Sequence, residues 1–285
     1  MTERTTLSHD LAAQERGHDV NASDRDFADL GLPEDLLAAV TDLGFASPTA
    51  VQASAIPLLL EGRDVVGVAQ TGTGKTAAFA LPLLAHIDAD APRVQALVLT
   101  PTRELAMQGA EAVESFASRS RGLDVVAVYG GSPYGPQLRA LEHGAQVVVG
   151  TPGRIMDLMD RGALLLDAVR YFVLDEADEM LRMGFADDVE TIASDLPAER
   201  ISALFSATMP PAIRRVAERH LRDPEEVTIS RPATTVSTVR QTFAVVPERN
   251  KVSALARVLA VTEADAALVF VRTRSTAEDL AVELG

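Results

Sequence analysis

Ala69-Gln70-Thr71-Gly72-Thr73-Gly74-Lys75-Thr76 follows the short apolar run Val65–Val68 and opens a helix-favouring stretch. Glycine lets a backbone turn its N–H groups inward to form a concave cradle. The start of a helix adds partial positive charge to that cradle. Phosphate is the group such a turn suits. Lys75 can reach the outer phosphates of a nucleotide, and the Thr76 hydroxyl can ligate Mg²⁺. The generic phosphate-loop pattern has Gly where Ala69 stands.

Outward from this loop, apolar runs alternate with longer stretches of helical spacing. The runs are Val65–Val68, Ala96–Leu99, Val125–Val128, Val147–Val149, Tyr171–Leu174 and Ser202–Phe205. Apolar on both faces and separated by helices, they predict buried strands of a parallel sheet. Most runs end in a polar or glycine-rich loop: Ala69–Thr76, Thr100–Glu104, Gly130-Gly131, Gly150–Arg154, Asp175–Asp178 and Ser206–Thr208. In α/β folds ligands bind at the carboxyl ends of the strands. Asp175-Glu176, at the end of one run, complements the phosphate loop, with one carboxylate for Mg²⁺ and a second to polarise an attacking water.

The chain has 285 residues, and about 150 residues per domain allows one large domain or two. Residues 1–26 are polar, aperiodic and expected to be disordered. Residues 27–230 carry the α/β pattern, 231–239 read as a linker, and the pattern restarts at 240–285. There, strands are expected at Gln241–Val246 and Ala267–Val271 and helices at Val252–Leu259 and Ala277–Leu284. Forty-six residues cannot cover both faces of a parallel sheet, so this second α/β domain reads as incomplete.

Composition excludes several classes. The chain has no Cys, hence no disulfide framework and no thiolate metal site, which suits a cytoplasmic protein. No apolar run is long enough for a membrane span, and the amino terminus lacks the apolar stretch of a secretory signal. The net charge of −15 argues against avid, sequence-blind binding of polyanions. The stretch Arg93–Arg161, however, balances seven Arg with seven acids, so one face could tolerate a polyanion. Only Lys75 and Lys251 are Lys among 26 basic residues, and Lys75 sits in the phosphate loop.

The spelling Asp175-Glu176-Ala177-Asp178 resembles the signature of the DEAD-box RNA helicases, and the other loops fall in that family's order. Gly44–Gln52 resembles its Q motif, with Phe27 as the upstream aromatic; Ala69–Thr76 resembles motif I in its Ala-first form. Pro101–Ala106 resembles motif Ia, Thr151–Arg154 motif Ib, Ser206-Ala207-Thr208 motif III, and Val269–Arg274 motif IV. Gly131–Gln137 and Glu179–Phe185 look closest to bacterial members, including the cold-shock helicases.

The resemblance implies a RecA-like domain using ATP and Mg²⁺, followed by the start of a second. Phe27 would stack on adenine and Gln52 would bond its edge, while Ala69, Gln70, Thr71, Gly72, Thr73, Gly74, Lys75 and Thr76 would hold the phosphates. Mg²⁺ would sit at Thr76 and Asp175. Glu176, Asp175 and Lys75 would carry the chemistry, with Asp178 completing the acidic motif. Ser206, Ala207 and Thr208 would couple the nucleotide site to RNA separation.

RNA would be gripped through its backbone by Pro101, Thr102, Arg103, Glu104, Gly130, Gly131, Thr151, Pro152, Gly153 and Arg154, without sequence preference. Thr100 and Thr151 read as capping hydroxyls before a first-turn Pro. The family's further arginine-bearing motifs lie beyond Gly285, so the chain alone is expected to bind ATP and RNA with little turnover. The alternative is a non-catalytic ATP- and RNA-binding fragment acting with a separate second half; ribosomal and RNA-decay complexes are compatible partners.

Overall fold

Six apolar runs become strands close to their expected bounds: β1 (Val65–Val68), β2 (Ala96–Leu99), β3 (Val125–Val128), β4 (Val147–Gly150), β5 (Tyr171–Leu174) and β6 (Ile201–Ser206). A seventh, β7 (Glu225–Thr228), has no apolar run to announce it, because Val227 alone of its residues is buried. The computed structural model describes residues 25–229, 242–262 and 266–284. Residues 1–24 of the tail expected over 1–26, and the linker expected over 231–239, lie outside the described residues.

The seven strands form one sheet in the order β3-β4-β2-β5-β6-β1-β7, and every pairing is parallel. Parallel neighbours need crossover connections, and helices provide them. These are α1 (Glu34–Asp42), α2 (Ala50–Leu60), α3 (Lys75–Ala85), α4 (Arg103–Phe116), α5 (Tyr134–His143), α6 (Pro152–Asp160), α7 (Ala177–Arg182), α8 (Ala186–Asp195) and α9 (Pro211–His220).

Alternate residues along each strand enter opposite cores. Val65, Val98, Tyr171, Val173 and Phe205 pack with Ile56, Phe79 and Val113 of α2, α3 and α4. Val66, Leu97, Phe172, Leu174 and Leu204 pack with Ile155, Ile192 and Ile213 of α6, α8 and α9. Full burial of one such side chain stabilises by roughly 1.5–3 kcal/mol, and the two cores hold several dozen. Gly67 in β1 has a packing reason: a Cβ there would lie 2.5 Å from the Phe205 ring.

At the carboxyl edge, four loops are tied to the neighbouring strand by their first backbone N–H. Ala69 donates to Ser206 O (3.0 Å), Asp175 to Leu99 O (2.9 Å), Thr100 to Gly150 O (2.9 Å) and Thr151 to Val128 O (2.9 Å). The strand order therefore sorts the loops. Those after β5, β6 and β1 lie side by side, and those after β2, β4 and β3 lie together next to them.

The chain divides into two compact units, Met1–Ser230 and Arg231–Gly285. Within the second, helices form at α10 (Lys251–Val261) and α11 (Arg274–Leu284), where helical spacing was expected. The two expected strands are not found among the described residues: 242–247 and 266–271 pair with nothing as strands. An isolated extended run gains nothing without a neighbour to complete its hydrogen bonds, and Phe243, Val245, Leu268 and Phe270 stand at least 80% exposed. No helix among the described residues is long and apolar enough to cross a membrane.

Candidate functional site

The phosphate loop bends where glycine permits. Gly72 and Gly74 have φ of 81° and 91°, and Gly74 caps the start of α3. Lys75, the first residue of that helix, is buried, and its Nζ donates to Ala69 O at 3.1 Å and to Glu176 Oε1 at 3.0 Å. Thr71 Oγ1 donates to the same oxygen at 3.0 Å, and Thr73 Oγ1 closes the loop on Gln70 O at 2.6 Å. Thr76 follows in the first helical turn. Strand order thus brings β1's loop against the acidic loop of β5, as the sequence expectation required.

Glu176 adopts φ 53°, ψ 49°, a left-handed conformation for a residue with a side chain. Such backbone costs on the order of 1–3 kcal/mol and persists only where surroundings enforce it. Here the enforcing contacts are Lys75, Thr71 and the Asp175 carboxylate, whose Oδ1 accepts the Glu176 N–H at 3.0 Å. Loss of solvation pushes the Asp175 carboxyl up to about 7; Glu176 repels its charge further while Lys75 pulls the other way. A carboxylate so short of positive charge suits a cation. Among the described residues no three His, Cys, Asp or Glu gather as a metal cage. Mg²⁺ takes one or two protein oxygens and completes its shell with water and phosphate, and the Thr76 hydroxyl and the Asp175 carboxylate are oxygen donors of that kind.

Asp178 joins the loop after β6. Its Oδ2 accepts the Thr208 N–H at 3.1 Å and the Thr208 hydroxyl at 2.7 Å. Ser206 Oγ accepts the Asp178 N–H at 3.2 Å and donates to Thr208 O at 2.7 Å. Burial would raise the Asp178 carboxyl, but bonds from Thr208, Ser206 and the backbone of Ala207 outweigh it and hold the carboxyl below its ordinary value.

Gln52 sits beneath the phosphate loop with its amide already engaged. Its Oε1 accepts Thr49 N–H at 2.9 Å, completing a capping box at the start of α2, and its Nε2 donates to Gly74 O at 3.0 Å. A Cβ on Gly74 would lie 2.4 Å from that Nε2. Phe27 is buried in the core with Leu30 and Val40 and meets the Phe45 ring edge-on at 6.2 Å. Phe45 is partly exposed and in turn contacts Phe116 at 5.7 Å.

The loops after β2, β4 and β3 form the second half of the edge. The helix start expected at Thr100-Pro101 lies two residues later. Thr102 is the cap of α4 and accepts Leu105 N–H at 3.2 Å, while Thr100 is buried and turned toward Thr102 O. Thr151 does precede α6, with Pro152 in its first turn and Gly153 next, although its hydroxyl makes no cap bond. Arg103 is half exposed, paired among the described residues with its neighbour Glu104 at 2.9 Å, and its guanidinium borders Gly131.

Arg154 differs from what its position in the loop suggested. It is buried, donating to Gln137 Oε1 at 3.1 Å and Ser132 O at 3.2 Å, with its guanidinium 4.0 Å from the centre of the Tyr134 ring. Its charge is used inside the protein, bracing the segment that follows Gly130-Gly131. Gln137 and Tyr134 lie in the Gly131–Gln137 stretch, which the sequence marked without assigning them a task. The signal for the Tyr134 partner was present too: Tyr134 donates to Asp157 Oδ2 at 2.5 Å, but no spacing rule links α5 to α6.

Comparison with known proteins matches residues 49–216 to the DEAD/DEAH box helicase family model. The chain is 53% identical over 258 residues to the ATP-dependent RNA helicase DeaD of Klebsiella pneumoniae, covering 90% of this chain and 40% of that protein. It is 52% identical over 263 residues to the DeaD of Mycobacterium tuberculosis (strain ATCC 25618 / H37Rv), covering 92% and 46%. The chain thus spans less than half the length of these curated relatives. Among solved structures it resembles a DEAD box protein from Methanococcus jannaschii (40% identity, TM-score 0.69, 91% of this chain and 69% of that one). It also resembles a variant of S. cerevisiae Dbp5 bound to RNA and ADP BeF3 (32% identity, TM-score 0.80, 91% and 66%).

Proposed function

Because this chain belongs to the DEAD/DEAH box helicase family, we propose that its residues 27–230 form the nucleotide-binding RecA-like domain of an ATP-dependent RNA helicase. Residues 240–285 would open its second domain. The observation that carries the reading is the buried contact between Lys75 and Glu176, 3.0 Å apart across two loops and held at a strained backbone.

In this reading the N–H groups of Gly72–Lys75 cradle the phosphates, with Gln70, Thr71 and Thr73 shaping the loop. Lys75 leaves Glu176 for the β- and γ-phosphates when ATP enters. Glu176, freed, accepts a hydrogen bond from the attacking water and holds it in line with the γ-phosphorus. Mg²⁺, held by Thr76 and Asp175, supplies charge neutralisation on the phosphate oxygens. Phe27 and Gln52 belong to the adenine end. Since the Gln52 amide is engaged with Gly74 and Thr49, base recognition there exchanges one of those bonds for a base edge. Ser206, Ala207 and Thr208, tied to Asp178, relay the state of the acidic loop.

RNA lies along the β2–β4–β3 half of the edge. Arg103 and the helix starts at Thr102 and Thr151 meet its phosphates, and Gly130, Gly131 and Gly153 let the backbone approach. Arg154 braces this surface from beneath. Contacts of this kind address the phosphate backbone, so binding is independent of base sequence. Support comes from the side-by-side placement of the two loop sets and from the RNA-bound Dbp5 structure as a neighbour.

Lys75 is the cation hydrogen-bonded at the loop among the described residues, and an arginine finger in related enzymes contributes about 10³–10⁵ in rate. The 285-residue chain by itself is accordingly assigned ATP and RNA binding with slow turnover. The test is ATP binding and hydrolysis with and without single-stranded RNA, beside Lys75→Ala and Glu176→Gln. Binding lost in Lys75→Ala, with slow turnover, supports the proposal. Rapid RNA-stimulated hydrolysis abolished by Glu176→Gln would overturn the slow-turnover part, and ATP binding unaffected by Lys75→Ala would overturn the site.

A further inference from the structure

Gly130 and Gly153 are exposed glycines that the packing does not ask for. Neither has a positive φ, and a Cβ at either would meet no atom within 4 Å. Bare backbone of this kind suits the close approach of a ligand. The two glycines lie in different segments, the turn after β3 and the first turn of α6, and one group of side chains joins those segments.

Gln137 of α5 brackets the turn, its Nε2 donating to Tyr129 O at 3.2 Å and to Ser132 Oγ at 2.6 Å. Arg154 of α6 reaches the same turn through Gln137 Oε1 and Ser132 O. Tyr134, the first residue of α5, holds the helix that carries Arg154. Its hydroxyl donates to Asp157 Oδ2 at 2.5 Å, and its ring lies 4.0 Å from the Arg154 guanidinium and 4.6 Å from that of Arg161. Arg161 Nε donates to the other Asp157 oxygen at 2.9 Å. The Tyr134 hydroxyl, and then Arg161, hold the Asp157 carboxyl below its ordinary value. A bond to an ionised carboxylate is among the stronger kinds.

We propose that Tyr134 is a positioning residue for RNA binding: by clamping Arg154 and Asp157 it fixes the Gly130-Gly131 turn against the start of α6. The two segments then meet one phosphate strand together, while the Tyr134 hydroxyl and ring are spent on α6. Segments ordered beforehand do not pay their ordering cost on binding, so loosening the clamp lowers RNA affinity. This role rests on the reading of the β2–β4–β3 edge as the RNA face.

The test is fluorescence anisotropy with single-stranded RNA, well below the melting temperature, with ATP affinity measured beside it. Tyr134→Phe keeps the ring and loses the Asp157 bond, and should weaken RNA binding by about threefold. Tyr134→Leu also loses the two guanidinium contacts and should weaken it by about tenfold. ATP affinity should stay unchanged in both. Combined with Asp157→Ala, Tyr134→Phe should weaken RNA binding no further than Asp157→Ala alone. Amide exchange should quicken at Gly130, Gly131 and Gly153 and not in the strands. Additive losses in that pair, or RNA and ATP affinities falling in parallel, would overturn the positioning role. Tyr134→Phe keeps the test decisive if Tyr134→Leu folds poorly. Arg103→Ala is the reference: RNA affinity lost there but unchanged in both Tyr134 variants rejects the clamp alone, whereas affinity unchanged in all three rejects the RNA face and the clamp with it.

Discussion

One oxygen of Asp178 receives two bonds from Thr208, one from its backbone N–H at 3.1 Å and one from its hydroxyl at 2.7 Å. The last residue of the acidic motif and the loop after the neighbouring strand therefore move as one piece. Thr208→Val removes the hydroxyl and keeps the shape. It should lower stability by about 0.5–1.5 kcal/mol at neutral pH, the range for a typical bond, because solvent screens this exposed pair. The folded-state carboxyl lies below its ordinary 3.8. Its contribution is thus present above that value and lost as pH falls through the lowered one. Urea melts should show the variant's deficit shrinking in strong acid; a deficit equal at pH 7 and pH 2 would argue that the hydroxyl acts through packing.

Asp175 carries the opposite sign. Its carboxyl is raised from 3.8 to about 7, so the folded state binds a proton more tightly than the unfolded state. That stability is full below 3.8 and is lost as pH rises through about 7. Asp175→Asn should then match the unsubstituted chain near pH 4 and be clearly the more stable of the two at pH 8, since each tenfold in proton affinity is worth about 1.4 kcal/mol. Thermal melts without nucleotide at the two pH values measure this. The same variant should lose Mg²⁺-dependent nucleotide binding.

Gly67 and Phe205 make a packing pair across β1 and β6. Gly67→Ala should cost about 1–3 kcal/mol through overpacking. Phe205→Leu in the same chain should recover part of that loss, giving a non-additive cycle. Additive losses in chemical denaturation would mean that the ring has room to shift.

The two arginines of the RNA loops should part company. Arg103→Ala should weaken binding of single-stranded RNA equally across base sequences and leave the melting temperature unchanged, since its ion pair with Glu104 is exposed. Arg154→Ala should instead destabilise the fold by roughly 2 kcal/mol or more, because Gln137 and Ser132 lose a buried charged donor. Fluorescence anisotropy with RNAs of different composition, beside melting curves, separates the two.

Six strands were legible because each is a continuous apolar run, even β3, which lies at the opposite edge and is only half buried. β7 was not, since Glu225-Glu226-Val227-Thr228 lies at the edge and buries a single side chain. At 242–246 and 267–271 the same logic misled, as apolar spacing specifies a strand only when something lies beside it. In the site, letters named the donors but not their partners. Lys75, Thr71 and Glu176 converge because β6 lies between β5 and β1, an order no local pattern encodes. Gln52 and Arg154 were placed by motif, yet their hydrogen bonds run inward to Gly74, Gln137 and Ser132, and those contacts are decided by packing. Thr102 rather than Thr100 is the helix cap, since it is the Thr102 hydroxyl that accepts the Leu105 N–H.

The four N–H groups that moor Ala69, Asp175, Thr100 and Thr151 to adjoining strands have a mechanical meaning. They tie the root of β1's loop to β6 and chain the roots after β5, β2 and β4 across to β3, and the β5–β6 ladder joins the two groups into a stiff crossbar, so the loops resist sliding past one another along the strands. A push delivered at the root of one loop arrives at the others as tilt of the whole bar, with little lost to stretching. Whatever changes length when a ligand enters must therefore lie above that bar, in the side chains and the free helix starts.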